Sequence, residues 1–390
     1  MKYNFDEIID RKKSICKKWD SEFYRSLFNG HEDLLPLWVA DMDFKVAPEI
    51  LESLSKVIEH GILGYTFTNE DYFNSIIHWY KHRKNIEIQK DWIVFTAGVV
   101  PAIGYIIQTF TEINDKILIQ PPVYNPFKMI TENNDRVVIT NSLINNNGYY
   151  EIDFEDFENK IIDNDVRMFI FCNPHNPVGR VWTYEEMEKI AKICLKHDVI
   201  IVSDEIHSDL IYKDSKFTSF LNLNEKYTKN LIVCTSASKT FNVAGTQTSN
   251  LIIPNKRLKA KYCNTLAKFR IEFPNTFGME ALKAGYLYGE KWLDELLDYL
   301  DDNRKFIATY LEKYIPKAKY HMPEGTYLAW IDFNDVVSTE KIEEFFEERA
   351  KIAVDYGHWF GKDGRGFIRL NFACPRAILK EALDRIKSAL

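Results

Sequence analysis

Residues 167–203, RMFIFCNPHNPVGRVWTYEEMEKIAKICLKHDVIIVS, decide the fold class. They begin with the apolar run 167–172 and end with the apolar run 199–203. Both runs are apolar at odd and at even positions, which is typical of strands buried on both faces of a parallel sheet. Between them, apolar residues recur at three-to-four spacing and predict a helix over 185–197. Strand, helix and strand in this order indicate an α/β fold.

Further short runs rich in Ile and Val extend this pattern through the middle of the chain. They predict strands over 92–96, 116–120, 136–140, 231–235 and 250–253. Thr183 and Glu186 make a capping-box pattern that starts the helix between the two central strands. Together the runs predict a mostly parallel seven-stranded sheet between helices. Ligands bind such sheets beyond the carboxyl ends of the strands.

The pattern of apolar and polar residues changes after about residue 285. A long amphipathic helix is predicted over 286–314 with one break. The elements predicted beyond it are strands over 326–333, 352–356 and 367–372 and helices over 341–349 and 376–390. A helix-like pattern over 5–18 is expected to pack with them. The sequence therefore predicts two domains, namely a large domain over 45–285 and a smaller α+β domain made of 1–44 and 286–390.

Composition excludes several classes of protein. The 390 residues are 46% hydrophobic and 27% charged, which is a globular composition, and the net charge of −7 disfavours a nucleic-acid partner. No apolar stretch approaches the roughly 20 residues that span a bilayer, and the N-terminus lacks the apolar core of a signal peptide. Six scattered cysteines without a CxxC pair indicate reduced thiols and no zinc site. We therefore expect a cytoplasmic protein with no metal and no membrane partner.

Four loops that follow predicted strands carry unusual residues. The first contains Gly98 and Val99, ahead of a helix that Pro101 would open. Free amides at such a helix start favour a phosphate, although a tight turn is the alternative. The second loop, NPHNPVGR over 173–180, is rigid enough to hold Asn side chains in fixed positions, and its alternative is a plain solvent turn.

The third and fourth loops carry a carboxylate and a lysine. The third reads SDEIH over 203–207, and its Asp204 would lie at the bottom of a site and keep a cationic ring nitrogen protonated, unless it caps a helix. The fourth reads SASKTF over 236–241 and places Lys239 in partly apolar surroundings. Burial lowers the pKa of a lysine and frees the neutral amine that Schiff-base chemistry needs, whereas most loop lysines are simply solvated.

The four loops occur in a fixed order, each after a predicted strand. In this arrangement the chain resembles the fold-type I, pyridoxal-phosphate (PLP) enzymes of the class I/II aminotransferase superfamily. The resemblance covers residues 37–376, and NPHNPVGR, SDEIH and SASKTFN are its most specific parts. Within the superfamily, LWVADMDF (37–44), DEIH and GFIRLN (366–371) resemble the MalY/PatB-type cystathionine β-lyase, or C–S lyase, branch. The resemblance implies PLP as cofactor. It also implies a carbon–sulfur β-lyase that cleaves L-cystathionine or other cysteine S-conjugates to a thiol, pyruvate and ammonia.

The resemblance also implies roles for individual residues. Lys239 would bond covalently to PLP and exchange protons at the substrate Cα, and Asp204 would pair with the ring nitrogen. The other implied contacts are with the ring (Tyr124, Asn176, His207), the phosphate (Gly98, Val99, Ser236, Ser238, and Tyr65 across a subunit boundary) and the substrate carboxylate (Arg369, with Asn176 and Tyr124). Alternation along 367–372 lets Arg369 point away from an apolar layer, and a structural ion pair is its alternative role. A packing role is the alternative for Tyr124.

Two positions depart from the aspartate-type aminotransferases. His207 follows Asp204 by three residues where those enzymes place a tyrosine, and Gln247 follows Lys239 by eight where they place a phosphate-binding arginine. Both departures fit the lyase branch. An aminotransferase acting on an amino acid and a 2-oxo acid is the alternative function, and a regulatory or binding protein with the PLP fold is the third. The role implied for Tyr65 requires a homodimer with shared active sites.

Overall fold

Helices and strands alternate along most of the chain in the computed structural model, which describes residues 2–12 and 14–390. The described α-helices are α1 (Ser21–Tyr24), α2 (Pro48–His60), α3 (Glu70–Lys84), α4 (Val99–Phe110), α5 (Pro126–Glu132), α6 (Phe154–Asn164), α7 (Tyr184–Lys196), α8 (Ala237–Thr240), α9 (Lys256–Phe269), α10 (Thr276–Tyr288), α11 (Glu290–Tyr314), α12 (Ile342–Glu344) and α13 (Arg376–Ala389). The described strands are β1 (Leu35–Pro36), β2 (Ile93–Thr96), β3 (Lys116–Ile119), β4 (Val137–Thr140), β5 (Ile144–Asn146), β6 (Tyr149–Glu151), β7 (Val166–Cys172), β8 (Ile200–Asp204), β9 (Leu231–Thr235), β10 (Ser249–Ile252), β11 (Lys319–Tyr320), β12 (Leu328–Asp332), β13 (Ile352–Ala353), β14 (Asp355–Tyr356) and β15 (Phe367–Asn371).

The central sheet has seven strands in the order β2-β10-β9-β8-β7-β3-β4. Strand β10 runs antiparallel to both of its neighbours, and the other adjacent pairs are parallel. The predicted α/β fold with a mostly parallel seven-stranded sheet is therefore confirmed. The predicted bounds of these seven strands lie within one residue of the observed ones. The first strand, for example, starts at Ile93 because Lys90–Trp92 forms a 3₁₀ turn.

Two apolar clusters cover the two faces of this sheet. Along β7, Met168 and Ile170 pack into one cluster while Phe169 and Phe171 pack into the other. Burial of every second residue on each face explains why the strand sequences are apolar at both parities. Loops at the strand ends are thus the parts of the sheet that can carry polar, ligand-binding groups.

Helix α7 begins at the predicted capping box. The Thr183 hydroxyl accepts a hydrogen bond from the Glu186 amide at 3.2 Å, and the Glu186 carboxylate accepts one from the Thr183 amide at 2.8 Å. These two bonds satisfy amides that the first helical turn leaves free. Because the helix start is fixed, the NPHNPVGR loop between β7 and α7 is held at both ends.

A second, four-stranded antiparallel sheet has the order β11-β12-β15-β14. The strand predicted over 352–356 is split in the structure, since β13 pairs with β1 while β14 pairs with β15. The predicted helix break is present, but it separates α10 from α11, and α10 starts ten residues earlier than expected. A side chain at Gly289 would approach the Phe241 ring to 2.6 Å, so close packing at this glycine accompanies the break.

The prediction of a helix over 5–18 is wrong for the residues that the structure describes there, and the first helix begins at Ser21. The charged residues of this segment are used in tertiary pairs instead. Arg11 bonds to Asp41 and Asp43, and the fully buried Lys18 bonds to Asp43. The conformation of this segment is therefore set by its ion-pair partners and not by the spacing of its apolar residues.

Helix α11 is the longest described helix, at 25 residues, and charged side chains interrupt it along its length. None of the described helices combines the length and the apolar character needed to cross a bilayer.

Candidate active site

The loops at the carboxyl ends of β2, β3, β7, β8 and β9 surround a cavity of about 220 Å³. Eight of the predicted site residues line it, namely Gly98, Val99, Tyr124, Asn176, Asp204, His207, Ser238 and Lys239. The lining also includes Ala40, Cys172, Gln247 and Thr248. The structure thus brings predicted residues from five separate loops of the sequence together at one place.

Lys239 lies on the short helix α8, which follows β9 directly. Its amine donates a hydrogen bond to the Ala40 carbonyl at 2.6 Å, so the side chain is held inside the cavity rather than solvated. Burial lowers the pKa of Lys239 to about 8, and nearby Arg369 acts in the same direction against the attraction of Asp41 and Asp204. About a tenth of the amine is therefore neutral at pH 7, far more than for an ordinary lysine.

Asp204 is the last residue of β8, and its side chain is buried. Its carboxylate accepts a hydrogen bond from the Ile206 amide at 3.1 Å in a local turn, and no described helix follows this turn directly, so Asp204 does not cap a helix as the alternative proposed. Burial raises the pKa of Asp204 to about 7, although the Ile206 amide and Lys239 both oppose the shift. The carboxylate is thus under-solvated, and a cationic group placed in the cavity would stabilise its charged form.

Arg369 lies on β15, opposite Asp355 of β14 and Trp330 of β12. It forms an ion pair with Asp355, and it donates to the Asn176 side-chain oxygen at 2.8 Å and to the Trp38 carbonyl at 3.1 Å. Its Nε is buried and has no hydrogen-bond partner among the described residues. The ion-pair role that was the alternative for this residue is therefore present, and the Nε–H group remains as a buried donor without a partner among the described residues.

His207 and Tyr124 are the ring-bearing side chains of the cavity wall. His207 is buried, its Nδ1 has no partner within the described part of the chain, and its ring meets Tyr327 edge-on at 5.8 Å. Burial, followed by Lys239 and Arg369, holds the pKa of His207 well below its ordinary value, so the ring is neutral. Burial likewise raises the pKa of Tyr124, which keeps its hydroxyl protonated.

Helix α4 starts at Val99, two residues before the predicted proline start at Pro101. Its first intrahelical hydrogen bond runs from the Ala102 amide to the Gly98 carbonyl at 3.1 Å. The amides of Val99 and Val100 come earlier and have no intrahelical acceptor. The start of a 12-residue helix facing the cavity is a favourable place for an anion.

Three predicted residues are not part of the cavity lining. The Ser236 hydroxyl donates to the Thr248 carbonyl at 2.8 Å and accepts from the Ser238 amide at 3.1 Å, so it caps α8. Tyr65 is fully exposed and borders a different surface depression. Arg369 reaches the cavity through its hydrogen bond to Asn176.

Sequence reasoning gave no role to Ala40, Tyr327 or Asp355. Ala40 accepts hydrogen bonds from Lys239 and from the Tyr327 hydroxyl, and Asp355 orients Arg369. Ala40 lies in the quoted 37–44 stretch and Asp355 in a predicted strand, but their partners are distant in sequence. No local pattern indicates these contacts.

The residues of the cavity fit PLP. An under-solvated carboxylate suits a protonated ring nitrogen, a buried amine of lowered pKa suits an aldehyde, and free helix amides suit a phosphate. The unpartnered Nδ1 of His207 adds a buried polar atom that a ligand can satisfy.

Comparison with known proteins agrees with this geometry. Residues 32–386 match the family described as aminotransferase class I and II. Cystathionine β-lyase PatB of Bacillus subtilis (strain 168) is 39% identical over 99% of this chain and 100% of its own. A PLP-bound putative aminotransferase from Clostridium difficile 630 is 44% identical, with a TM-score of 0.96 over 99% of each chain. The PLP-bound C–S lyase from Staphylococcus hominis is 35% identical, with a TM-score of 0.93 over 100% of this chain and 98% of its own. The chain therefore belongs to the PLP-dependent class I and II aminotransferase family, in the branch that contains the cystathionine β-lyases and C–S lyases.

Proposed function

We propose that the protein is a PLP-dependent carbon–sulfur β-lyase that cleaves L-cystathionine or other cysteine S-conjugates to a thiol, pyruvate and ammonia. One observation carries the proposal: Lys239 and Asp204 share one buried cavity, with pKa values near 8 and 7. Perturbed pairs of this kind mark acid–base sites. Full-length similarity to a cystathionine β-lyase and to a C–S lyase supports the reaction type.

The cofactor would be held by the residues that line the cavity. Asp204 would pair with the ring nitrogen, Asn176 and His207 would face the ring edge, and Tyr124 would pack on its face. The amides of Gly98 and Val99 and the Ser238 hydroxyl would take the phosphate. The resemblance implies Ser236 for the same group, but its hydroxyl is already bonded to the Thr248 carbonyl and the Ser238 amide, so we expect Ser236 to contribute little there. Bound PLP supplies an electron sink that stabilises negative charge at the substrate Cα.

Lys239 would move the protons of the reaction. Its amine is tethered in the cavity, and its pKa of about 8 leaves part of it neutral at physiological pH. A neutral amine accepts the proton from the substrate Cα, and the resulting ammonium is placed to return a proton. Tethering of a single base in this way raises its effective concentration.

Arg369 and Asn176 would orient the substrate through its α-carboxylate. The two side chains are bonded to each other, Asp355 fixes the guanidinium, and the Nε–H of Arg369 is an unused buried donor among the described residues. A planar guanidinium suits a carboxylate geometrically. Fixing the carboxylate would restrict the orientation of the substrate, so that the Cα–H bond could face Lys239.

The leaving group departs from Cβ once the Cα proton is removed. The C–S bond breaks with its electron pair on sulfur, and the thiolate is protonated to the thiol. One water molecule is consumed as the remaining three-carbon fragment becomes pyruvate and ammonia. The net reaction is a redox-neutral elimination followed by hydrolysis.

The enzyme would act as a homodimer with shared active sites. Ile58, Ile62, Leu63, Tyr65 and Phe67 are all exposed and close together in sequence, and exposed apolar patches of this kind mark protein interfaces. Tyr65 lies outside the cavity of its own chain, so a role at the phosphate would be across the interface.

Mixing two inactive variants tests this arrangement. A Lys239→Ala subunit paired with a Tyr65→Ala subunit has one intact site if Tyr65 serves the neighbouring subunit. Random reassociation is then expected to restore about a quarter of wild-type activity. No restoration in dimers confirmed by light scattering would contradict the shared site.

The cytoplasm is the proposed location. All six cysteines, which lie within the described residues, are free thiols, and such thiols persist in a reducing compartment. The proposed domain division is 45–285 for the large domain, with 1–44 and 286–390 for the small one. The seven-stranded sheet within 93–252 and the four-stranded sheet within 319–371 support it.

Pyruvate release from L-cystathionine, measured with and without added 2-oxo acid, tests the reaction. A lyase is expected to form pyruvate continuously without the 2-oxo acid. An aminotransferase would instead convert L-cystathionine to its own 2-oxo acid, release no pyruvate, and stop after one half-reaction unless the added 2-oxo acid takes up the amino group. The aminotransferase function should be distinguished from the lyase function because one structural relative is named a putative aminotransferase. Borohydride reduction of the loaded enzyme followed by peptide mapping is expected to label Lys239, and a label elsewhere would overturn its assignment.

A further inference from the structure

The Ala40 carbonyl oxygen accepts two hydrogen bonds inside the active-site region. The Lys239 amine donates to it at 2.6 Å, and the Tyr327 hydroxyl donates to it at 2.8 Å. Tyr327 is 1% exposed, so its side chain is shielded from bulk water. Two donors from different parts of the fold therefore share one acceptor, and one of them is the proposed reacting amine.

Ala40 belongs to residues 38–44, which we call the strap, and other side chains fix the strap in place. The side-chain amide of Asn371 donates to the Val39 and Asp41 carbonyls, both at 2.6 Å. Asn242 donates to the Met42 carbonyl at 3.0 Å and accepts from the Met42 amide at 3.0 Å. Because both neighbours of Ala40 are held by Asn371, the Ala40 carbonyl cannot turn toward one donor and away from the other.

Charged and titratable groups surround the amine on several elements. They are Asp41 of the strap, Asp204 at the end of β8, His207 in the loop after it, Arg369 of β15, and Tyr327 just before β12. Burial, reinforced by Asp41 and opposed by Arg369, keeps the pKa of Tyr327 far above its ordinary value. The Tyr327 hydroxyl is therefore a neutral, permanent donor over the working pH range.

We propose that Tyr327 is a positioning residue for Lys239: its hydroxyl shares the Ala40 carbonyl with the lysine and so weakens the hold of the strap on the protonated amine. The inference rests on the proposed function only in taking Lys239 as the reacting amine. An ammonium group donates more strongly than a neutral amine, so an undivided Ala40 carbonyl would favour the charged form. Sharing that carbonyl with Tyr327 keeps more of the amine neutral and easier to release.

The test compares Tyr327→Phe with Tyr212→Phe. Tyr212 is a matched control, since it is 2% exposed and its hydroxyl donates to the Thr326 carbonyl at 2.7 Å, next to Tyr327 in sequence. Each variant loses one buried phenol donor to a carbonyl, but only Tyr327 shares its acceptor with Lys239. The measurement is competitive acetylation of the full-length, cofactor-free protein against pH, with peptide mapping of Lys239.

Tyr327→Phe is expected to raise the labelling midpoint of Lys239 by about half a pH unit or more, because the ammonium regains the whole acceptor. Tyr212→Phe is expected to leave the midpoint unchanged. An unchanged or lowered midpoint in Tyr327→Phe, or an equal rise in both variants, would overturn the inference. Should Tyr327→Phe not fold, Tyr327→Leu also lacks the donor and carries the same expectation.

A second readout uses the loaded enzyme. The acid limb of the pH profile of kcat, which reports groups of the substrate complex in which the Lys239 amine is free, is expected to move upward in Tyr327→Phe and to stay in place in Tyr212→Phe. The labelling requires no turnover. Failure of the proposed lyase function would therefore show as absent pyruvate in the wild-type enzyme, whereas failure of this inference would show as an unmoved midpoint.

Discussion

Two buried aspartates of this protein have opposite electrostatics. Asp43 lies beneath the N-terminal segment and receives hydrogen bonds from Lys18 at 2.7 Å, Arg11 at 2.6 Å and the Trp19 ring at 2.9 Å. Burial alone would raise the pKa of Asp43, but Lys18 and Arg11 outweigh it and lower the pKa. Asp204 receives one amide hydrogen bond, and burial raises its pKa to about 7.

The opposite pKa shifts distinguish Asp43, which stabilises the fold, from Asp204, whose charged form needs a bound cation. Asp43 is satisfied by the chain itself, so its charge contributes to the stability of the folded state. Asp204 lacks a cation at its own end of the cavity and is stabilised when one binds. Burial is the same in both places, and the partners decide the role.

The largest expected effect is on catalysis. Asp204→Asn removes the charge that keeps the PLP ring nitrogen protonated, so kcat/KM for L-cystathionine is expected to fall by about 1000-fold or more. Activity should be measured at saturating PLP, with Asp43→Asn, corrected for its folded fraction, as the comparison. A loss of less than about tenfold in Asp204→Asn would mean that the two aspartates do not differ in the way described.

The next effect is on stability. Asp43→Asn leaves the fully buried Lys18 ammonium without its principal partner and is expected to lower the free energy of unfolding by about 3 kcal/mol. Urea denaturation measures this loss. Because Lys18 would then be the source of the cost, the double variant Lys18→Met with Asp43→Asn is expected to recover part of it. Equal stability of Asp43→Asn and the wild type would show that Asp43 does not stabilise the fold.

The pH dependence of stability in the cofactor-free protein sharpens the comparison. The pKa of Asp43 is lower in the folded state, so its contribution is present above about pH 4 and is lost as the pH falls further. The pKa of Asp204 is higher in the folded state, so its ionisation destabilises the fold progressively between about pH 4 and pH 7. Asp204→Asn is therefore expected to be more stable than wild type by about 4 kcal/mol at pH 8, and about equal to it at pH 4.

Unfolding curves of the two proteins at several pH values measure this difference. Saturating PLP is expected to reverse its sign at pH 8, since the carboxylate then has its cationic partner. A stability difference that is independent of pH would contradict the raised pKa of Asp204.

The two regions also differ in how far sequence predicts them. Strands of the central sheet are predicted within one residue, and β9 without error, because a strand buried on both faces carries its own local pattern. The sequence consequently predicts that residues at or just after the ends of those strands, such as Asp204 and Lys239, lie at one cavity. The fold and most of the cavity are therefore predictable from short windows of sequence.

Contacts between distant segments are not predictable in this way. The helix expected over 5–18 is replaced by a segment whose Arg11 and Lys18 bond to Asp43, and no local periodicity encodes that partner. The strand expected over 352–356 divides between two sheets, and the pairing of Asp355 with Arg369 depends on the register of β14 against β15. Shared acceptors such as the Ala40 carbonyl arise only when three separate segments meet.

The smallest expected effects lie within one turn of helix α8. Ser236 is satisfied by the chain, since its hydroxyl bonds to the Thr248 carbonyl and the Ser238 amide, whereas Ser238 lines the cavity. Ser236→Ala is therefore expected to lower the free energy of unfolding by about 1 kcal/mol through the lost cap, and to change PLP affinity little. Ser238→Ala is expected to do the reverse, weakening PLP about fivefold through one lost phosphate contact, with little change in stability. Urea denaturation and fluorescence titration of the cofactor-free protein with PLP measure the two quantities. Weaker PLP binding in Ser236→Ala, at unchanged stability, would instead indicate that Ser236 is a phosphate ligand. The Ser236 hydroxyl would then exchange its hydrogen bonds within the cofactor-free protein for one to the phosphate when PLP binds.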